Sequence, residues 1–203
     1  LVPYSAPSPD GQTGIVHTEK MYERLINQFK WGGLNNSELY FDETNTRMVM
    51  NFRNNYSRLA ESLYQQGDTA KTIETLDKCV AEFPADVVRL SYFALPIIDL
   101  YYKLGETEKG SKILVAMIDD NLSEIKYLKD FDRGSGLKQN ISITSQVLGS
   151  LGRILQAHKL EDISANYLVE GDKYYKESNG NKEETDYETY RINSFMDEYL
   201  NIQ

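Results

Sequence analysis

The chain has 203 residues, a formal net charge of -9 at pH 7 and a pI near 4.8. This length suits one domain of ordinary size, and an apolar fraction of 40% supports a buried core rather than wholesale disorder. The acidic balance argues against binding to nucleic acid or to anionic lipid, because both require a basic surface. A single cysteine, Cys79, excludes an internal disulfide and a thiolate-rich zinc site.

The first 16 residues differ in character from the rest. The opening stretch LVPYSAPSPDGQTG is rich in Pro, Ser and Gly, which predicts a linker over residues 1–16. The chain starts without an initiator Met or a signal segment, so we expect a fragment whose missing region lies upstream. No apolar run reaches the roughly 20 residues that span a bilayer. Residues 17–203 are therefore predicted to form a single domain that does not itself insert into a membrane.

Helical periodicity begins after the linker. The segment HTEKMYERLINQFKW predicts a helix with Thr18 as its N-cap, ended by the pair Gly32 and Gly33. Asp42 is placed to cap a second helix that runs to Gln66. The apolar positions expected to face the core are Met21, Leu25, Ile26 and Phe29 in the first helix, and Met48, Phe52, Tyr56, Leu59 and Leu63 in the second.

An internal repeat starts within the second helix. Residues 53–86 show the spacing of a tetratricopeptide repeat, in which two antiparallel helices cross at small residues and a Gly forms the turn. The positions that carry this signature are Tyr56, Leu59, Ala60, Leu63, Gly67, Thr72, Leu76, Cys79 and Pro84. Because Cys79 falls on a small-residue position, we expect burial to raise its thiol pKa and make it a packing group, not a nucleophile.

A second repeat is predicted over residues 91–124. Pro96 starts or kinks its first helix, and Gly105 forms its turn. The positions that correspond to the first repeat are Ile97, Ile98, Tyr101, Gly105, Gly110, Leu114 and Met117.

A third and fainter pair is predicted over residues 145–178, with Lys159 in the place of the turn Gly. Gly134 and Gly136 mark a loop before it. Its positions in register are Leu151, Gly152, Leu155, Ser164 and Leu168. The last segment offers Tyr190, Phe195 and Tyr199 to close the stack as a capping helix.

No coherent catalytic set emerges from the sequence. His17 and His158 lack the companions that a zinc site of three or four ligands requires. Acidic pairs such as Asp119–Asp120 fall at predicted helix ends or in loops, where capping and solvation explain them better than a glycosidase acid and base. The chain has no P-loop and no glycine-rich dinucleotide motif. We therefore expect no catalytic residue, no metal site and no cofactor.

The 15 tyrosines are the most suggestive residues for binding. A tyrosine ring combines a flat apolar body with a hydroxyl, which suits a concave surface that holds peptide or sugar. The candidate contacts to a partner or glycan are Tyr64, Tyr101, Tyr102, Tyr174 and Tyr175. The alternative is that these rings fill aromatic core positions between helices. Burial decides between the two interpretations.

The stretch FKWGGLNNSELYFDETNTRMVMNFRNNY is interpreted as a docking joint between the first helix and the stack. We expect Trp31 to be largely buried there, with Phe29, Phe41 and Met48 as neighbours. Asp42 and Arg47 complete the predicted joint. A solvent-facing Trp31 beside these two side chains would favour a ligand site instead.

Five motifs stand out in the first 130 residues or so: LVP, TEKMYERLINQFKWGG, LYFDETNTRMVMNFRNN, RLAESL and YFALPIIDLYYKLGE. Together they resemble a Bacteroidetes family of large polytopic membrane proteins. The membrane part of that family is similar to GT-C glycosyltransferases and protein O-mannosyltransferases, and its C-terminal part is a soluble extension with repeat-like helices. The resemblance implies an extracytoplasmic, periplasmic location, tethering through upstream transmembrane spans, and a catalytic site outside this chain.

These features predict an all-α fold. We expect a short right-handed stack of tetratricopeptide-like hairpins, with an extra N-terminal helix and a C-terminal capping helix. The expected function is that of a non-catalytic module whose concave face binds a protein segment or a neighbouring subunit. The alternative is a glycan-binding module with exposed Tyr and Trp side chains, and an enzyme in its own right is the weakest hypothesis.

Overall fold

The computed structural model describes Gln12, residues 14–130, residues 135–160 and Ile163, and within these residues every regular element is helical. The all-α prediction is confirmed for this part of the chain. None of the helices it contains is long and apolar enough to cross a membrane. Ser164, Leu168, Tyr174, Tyr175 and the predicted capping helix lie outside the described residues.

The described residues contain α1 (Thr18–Tyr22), α2 (Glu43–Gln65), α3 (Thr69–Glu82), α4 (Leu95–Lys103), α5 (Thr107–Asp130) and α6 (Ser135–Ala157). A π-helix, Glu23–Gln28, continues directly from α1, and a 3-10 turn, Tyr92–Ala94, leads into α4. The chain divides into two compact units, residues 1–113 and 114–203, and the boundary falls inside α5. Two pairs of helices are joined at predicted turn glycines, α2 to α3 at Gly67 and α4 to α5 at Gly105, and all four helices begin in the first unit.

The start of α1 differs from the prediction. His17, not Thr18, is the N-cap, and its Nδ1 atom accepts a hydrogen bond from the backbone N–H of Lys20 at 3.5 Å. Thr18 instead accepts a hydrogen bond through its hydroxyl from the side-chain amide of Gln66 at 3.3 Å. The cap thus lies one residue before the predicted position, and the threonine hydroxyl contacts the end of α2.

The end of the first helical segment also differs. The segment widens into the π-helix after Tyr22 and ends at Phe29, whose extended backbone stops it before the glycine pair. Leu25 is buried and Met21 and Ile26 are half-buried, whereas Phe29 is exposed. The wider π turn changes which positions share a face, so the predicted apolar face holds only in part.

A tight turn at Gly67 joins α2 to α3. Asp42 caps α2 as predicted, with its carboxylate accepting from the backbone N–H of Asn45 at 2.8 Å. Gly67 has a φ of +79°, a left-handed conformation that glycine adopts without strain. Asp68 then caps α3 by accepting from the backbone N–H of Lys71 at 3.1 Å. The reversal lays α3 against α2 as an antiparallel hairpin.

The core of this hairpin consists of repeat-signature residues. Ala60 and Thr72 are fully buried, and the Thr72 hydroxyl donates to the backbone carbonyl of Asp68 at 2.7 Å. The other signature positions with fully or almost fully buried side chains are Tyr56, Leu59, Leu63, Leu76 and Cys79. Pro84 follows the end of α3 at Glu82, where the sequence predicted the stop.

The N-terminal half of α2 is rotated relative to the predicted apolar face. Met48 is 48% exposed, and Val49 is buried in its place. The buried positions continue through Arg53 to Tyr56, at helical steps of four and three. Arg53 interrupts the buried face of α2 with a charged residue, so the apolar periodicity of the sequence does not indicate that face.

Arg53 is the largest fully buried side chain, with 1% exposure. Its guanidinium donates to backbone carbonyls that follow α3, namely those of Phe83 at 2.8 Å, Pro84 at 3.2 Å, Arg89 at 2.6 Å and Val88. Burial lowers the pKa of Arg53 to about 10, which still leaves it charged at neutral pH. The two terminal nitrogens of one arginine, which donate to four carbonyls, therefore hold the chain after α3 against α2.

A second turn, at Gly105, joins α4 to α5. Pro96 lies in the first turn of α4, where its missing N–H is tolerated, and Gly105 has a φ of +80°. Gly110 lies one turn into α5, and a Cβ atom built on it would come within 3.1 Å of the Tyr102 ring. The hydroxyl groups of Tyr102 and Ser111 are 2.8 Å apart, which holds that ring in place.

The second unit contains the rest of α5 and all of α6. Gly136 lies inside α6, so the predicted loop is wrong at that position: one glycine weakens a helix by only about 1 kcal/mol. Thr144 on α6 donates to the Glu124 carboxylate on α5 at 3.1 Å. Lys159 adopts a φ of +54° just after α6, so it takes the left-handed conformation of the turn glycine it was predicted to replace.

We predict that Arg53→Met lowers the free energy of unfolding by roughly 3 kcal/mol or more, because it leaves buried carbonyls without donors. Arg53→Lys should fall between that variant and the wild type, since one ammonium cannot reach the same set of acceptors. Urea unfolding followed by circular dichroism measures both.

The matched control is Arg47→Met on the same helix. Arg47 is 72% exposed and pairs with Glu43 one turn away, so its loss should cost about 0.5 kcal/mol or less. Equal losses for Arg47 and Arg53 variants would contradict the role assigned to Arg53.

A second prediction concerns Gly110. Gly110→Ala should destabilise by roughly 1 kcal/mol, because the clash with the Tyr102 ring outweighs the better helix propensity of alanine. Gly149→Ala in α6 is the matched control: nothing lies within 4 Å of its added Cβ atom, so it should stabilise by about 0.5 to 1 kcal/mol. The two variants are compared by urea unfolding, and the same sign for both would refute the packing argument.

Candidate functional site

Two of the predicted tyrosine contacts are core residues. Tyr101 is 1% exposed and Tyr102 is 7% exposed. The Tyr101 hydroxyl donates to the Asp77 carboxylate at 2.8 Å, and burial raises the pKa of both tyrosines. Neither ring face is open to a partner or a sugar, so the assignment of these two residues as contacts is corrected to packing. Tyr64 is half-buried on α2.

Trp31 lies in a cluster of aromatic rings. Its ring centroid is 4.8 Å from that of Phe52, 4.9 Å from Phe83, 5.5 Å from Phe29 and 5.8 Å from Tyr56. The predicted neighbour Phe29 is thus confirmed, and Phe52, Tyr56 and Phe83 are ring neighbours that the sequence did not indicate. Trp31 itself is half-buried.

The remaining residues of the predicted joint lie outside this cluster. Asp42 acts as the cap of α2, and Arg47 points into solvent, where it pairs with Glu43. The contact that fastens the first helical segment to α2 is instead the buried hydroxyl of Tyr56, which donates to the backbone carbonyl of Leu25 at 3.0 Å. The joint is therefore made of aromatic packing and one buried hydrogen bond, without the charged pair.

Cys79 has the properties of a packing residue. It is 1% exposed, and burial raises the pKa of its thiol to about 12, with the nearby Arg53 charge acting in the opposite direction. A thiol of this kind is almost entirely protonated at neutral pH and does not act as a nucleophile. Among the residues that the structure describes, no group of three or more His, Cys, Asp or Glu side chains is placed to hold a metal ion.

A groove of about 550 Å³ runs along the polar face of α2. The start of α4 and the turn before it form one wall through Tyr92, Phe93 and Pro96. The chain before α1 forms another wall. The α2 side chains that line the groove are Asn54, Ser57, Arg58, Glu61, Ser62 and Gln65. All of these residues belong to the first compact unit.

The wall formed by the chain before α1 is hydrogen-bonded to α2. Asn54 and Gln12 exchange two hydrogen bonds between their side-chain amides, at 2.8 Å and 3.1 Å. Arg58 donates to the backbone carbonyl of Gly14 at 2.8 Å. On the opposite wall, the Ser57 hydroxyl donates to the backbone carbonyl of Phe93 at 3.1 Å. Residues 12–16, assigned to the linker, are thus in contact with α2 where the structure describes them.

The lining side chains suit recognition better than catalysis. They present amides, hydroxyls and one guanidinium, which donate to and accept from a polypeptide backbone. Glu61 is the carboxylate among the described residues that line the groove, whereas glycoside hydrolysis needs two that face each other. Tyr92 and Pro96 add exposed apolar surface at the rim.

The sequence analysis did not identify this groove. The signal was present as a polar stripe on α2, where Asn54, Arg58, Glu61 and Gln65 recur at steps of four, three and four. Such a stripe is also what any solvated helix face shows. Only the position of residues 12–16 and 92–96 beside it turns the stripe into a groove.

Comparisons of this chain with protein-family models, with curated proteins and with solved structures found no match. The candidate site is therefore defined by its own geometry.

The pKa of Cys79 predicts a pH dependence of stability. The folded state raises this pKa from 9.0 to about 12, so the contribution of the neutral buried thiol is complete below pH 9 and is lost as the pH rises from 9 to 12. We expect the stability advantage of the wild type over Cys79→Ala to shrink across that range in urea unfolding. A thiol reagent at pH 8 should label Cys79 only after unfolding, and rapid labelling of the folded chain would contradict its burial.

Proposed function

We propose that this chain is a non-catalytic protein-interaction module and that its groove along α2 binds a segment of another polypeptide. The observation that carries the proposal is the set of contacts in the groove, where Arg58 holds a backbone carbonyl and Asn54 pairs with a side-chain amide. These are the contacts by which a protein grips an irregular peptide segment.

The arrangement of the helices supports a tetratricopeptide-like stack as the framework. The hairpins α2–α3 and α4–α5 each turn at a glycine with nearly the same left-handed φ, +79° at Gly67 and +80° at Gly105. Stacked hairpins of this kind create an extended concave surface for binding. The groove lies along the first helix of one hairpin and the start of the next, as such a surface requires.

Recognition in this groove rests on hydrogen bonds more than on charge. The formal charges of Arg58 and Glu61 cancel, so the charged groups of the groove lining itself favour neither an acidic nor a basic partner. Amide and guanidinium groups require acceptors and donors at fixed positions, which selects a partner by its geometry. The exposed Tyr92 ring provides an apolar anchor at the rim, as tyrosine does in many interfaces.

The resemblance to the polytopic membrane family supports a cellular setting for the module. In that setting the chain is the soluble C-terminal part of a glycosyltransferase-like membrane protein, on the periplasmic side of the inner membrane. The partner is then a protein segment or neighbouring subunit on the same side. This part of the proposal rests on sequence motifs alone.

A photo-crosslinking amino acid placed at Tyr92 tests the interaction. Tyr92 lies on the groove wall, and Tyr40, a more exposed tyrosine that is not part of the lining, is the matched control position. We expect the crosslinking amino acid at position 92 to form an adduct with a protein in an extract of the cells that naturally produce this chain. The same amino acid at position 40 should form none. Arg58→Ala, combined with the crosslinking amino acid at position 92, should reduce the yield of that adduct severalfold.

Equal adducts at the two positions would count against a specific groove. The function would be refuted by the absence of any protein adduct together with hydrolysis or transfer of sugar by the purified chain. Binding of glycans with no dependence on Arg58 would favour the glycan-binding alternative, which has lost the support of Tyr101 and Tyr102.

A further inference from the structure

One wall of the groove along α2 is formed by the protein's own chain, which lies on the polar face of that helix. Gln12 reaches Asn54 through a reciprocal pair of amide hydrogen bonds, and the carbonyl of Gly14 accepts from Arg58. Ile15 lies along the same lining. The polar face of α2 therefore makes to Gln12 and Gly14 the contacts that the proposed function assigns to a partner.

These contacts are less buried than the hydrogen bonds that hold the first segment and the chain after α3 to α2. The hydrogen bonds to Gln12 and Gly14 are only partly buried, and Ile15 is 51% exposed although it lines the groove. By contrast, Arg53 and the Tyr56 hydroxyl make buried hydrogen bonds. A segment with few buried apolar contacts and exposed hydrogen bonds opens more readily than the core beneath it.

The segment is nevertheless kept close to the groove. His17 caps α1 immediately after it, and Thr18 is bonded to Gln66 at the end of α2. This attachment converts rebinding into an intramolecular event with a high effective concentration. A weakly held segment can thus still compete with a partner that must bind from solution.

Glycine is required at the centre of the segment. Gly14 has a φ of +85°, a region that other residues enter only with strain. This conformation presents the Gly14 carbonyl to Arg58 two residues after the amide that pairs with Asn54. A partner segment that replaces it needs a side-chain amide and a backbone carbonyl at the same positions, because these groups satisfy the half-buried Asn54 and Arg58 side chains.

We infer that Gln12 and residues 14–16 are an intramolecular ligand of the polar face of α2 and that a partner displaces them with a segment of the same chemistry. That chemistry is a Gln or Asn side chain, a glycine two residues later, and an aliphatic residue after the glycine. The inference rests on the proposed function, because it takes the groove to be a polypeptide-binding site. It adds that the module regulates its own occupancy.

The test compares the wild-type chain with a Gln12→Ser/Ile15→Ser double variant. The probe is a fluorescent peptide of sequence DGQTGIVH, which corresponds to residues 10–17. Binding is measured by fluorescence anisotropy. The double variant weakens the intramolecular segment and leaves the α2 side chains that line the groove unchanged, so we expect it to bind the probe at least tenfold more tightly than the wild type.

Two further variants establish where the probe binds. Asn54→Ala in the double-variant background should remove most of the gain, because it deletes the partner of the probe's glutamine. Asn35→Ser, in the exposed loop before α2, is the matched control and should leave the affinity at the wild-type value. Circular dichroism confirms that each variant is folded, and Gln12→Ser alone replaces the double variant if that one is not.

Equal affinity of the wild type and the double variant for the probe would overturn the intramolecular ligand and leave the groove as a binding site. Failure of the double variant to bind the probe would overturn the inference, while crosslinking at Tyr92 judges the proposed function separately. A wild-type dimer that dissociates in the double variant would also overturn it, because the segment would then bind a second copy.

Discussion

The buried guanidinium of Arg53 is the interaction on which the path of the first unit depends. A chain that leaves a helix carries carbonyl groups with no intrahelical partner, and here they would be buried after α3. Arg53 supplies their donors from α2, and so holds residues 83–89 against that helix. This path delivers Tyr92, Phe93 and Pro96 to the edge of α2, where the hydroxyl of Ser57 fastens the carbonyl of Phe93. The groove wall formed by Tyr92, Phe93 and Pro96 therefore depends on Arg53, which lies one helical turn before Ser57.

The aromatic joint performs a related task at the N-terminal side. Trp31 packs edge-on against Phe52 of α2 and against Phe83, the residue that ends α3. The Tyr56 hydroxyl holds the carbonyl of Leu25, so the first helical segment cannot move away from α2 without breaking a buried hydrogen bond. Residues 12–16 precede that segment directly. Their position over the groove is therefore set by the joint, even though their own contacts are modest.

Predictions from local chemistry agree with the structure in this unit except at the two ends of the first helical segment, where His17 replaces Thr18 as the cap and Phe29 ends the helix. Predictions that needed a partner across the fold agree less well. Asp42 caps α2 and Gly67 turns the chain because each effect involves only a few neighbouring residues. The same holds for small residues at Ala60 and Thr72, whose pattern is periodic. Arg47 and Arg53 look alike in the sequence, yet one is solvated and the other is the centre of the hairpin. Nothing local distinguishes them, because the carbonyls that select Arg53 lie thirty or more residues away.

The sequence by itself determined the helical class, the turns at Gly67 and Gly105, the burial of Cys79 and the lack of a cysteine framework. Each of these follows from periodicity, glycine conformation or composition. Only the tertiary structure decided that Tyr101 and Tyr102 face the core and that the polar stripe of α2 is the floor of a groove. The physical reason is that burial and concavity are properties of two or more elements in contact. A helix face becomes a site when residues 12–16 and 92–96 are laid beside it, and those contacts span the fold.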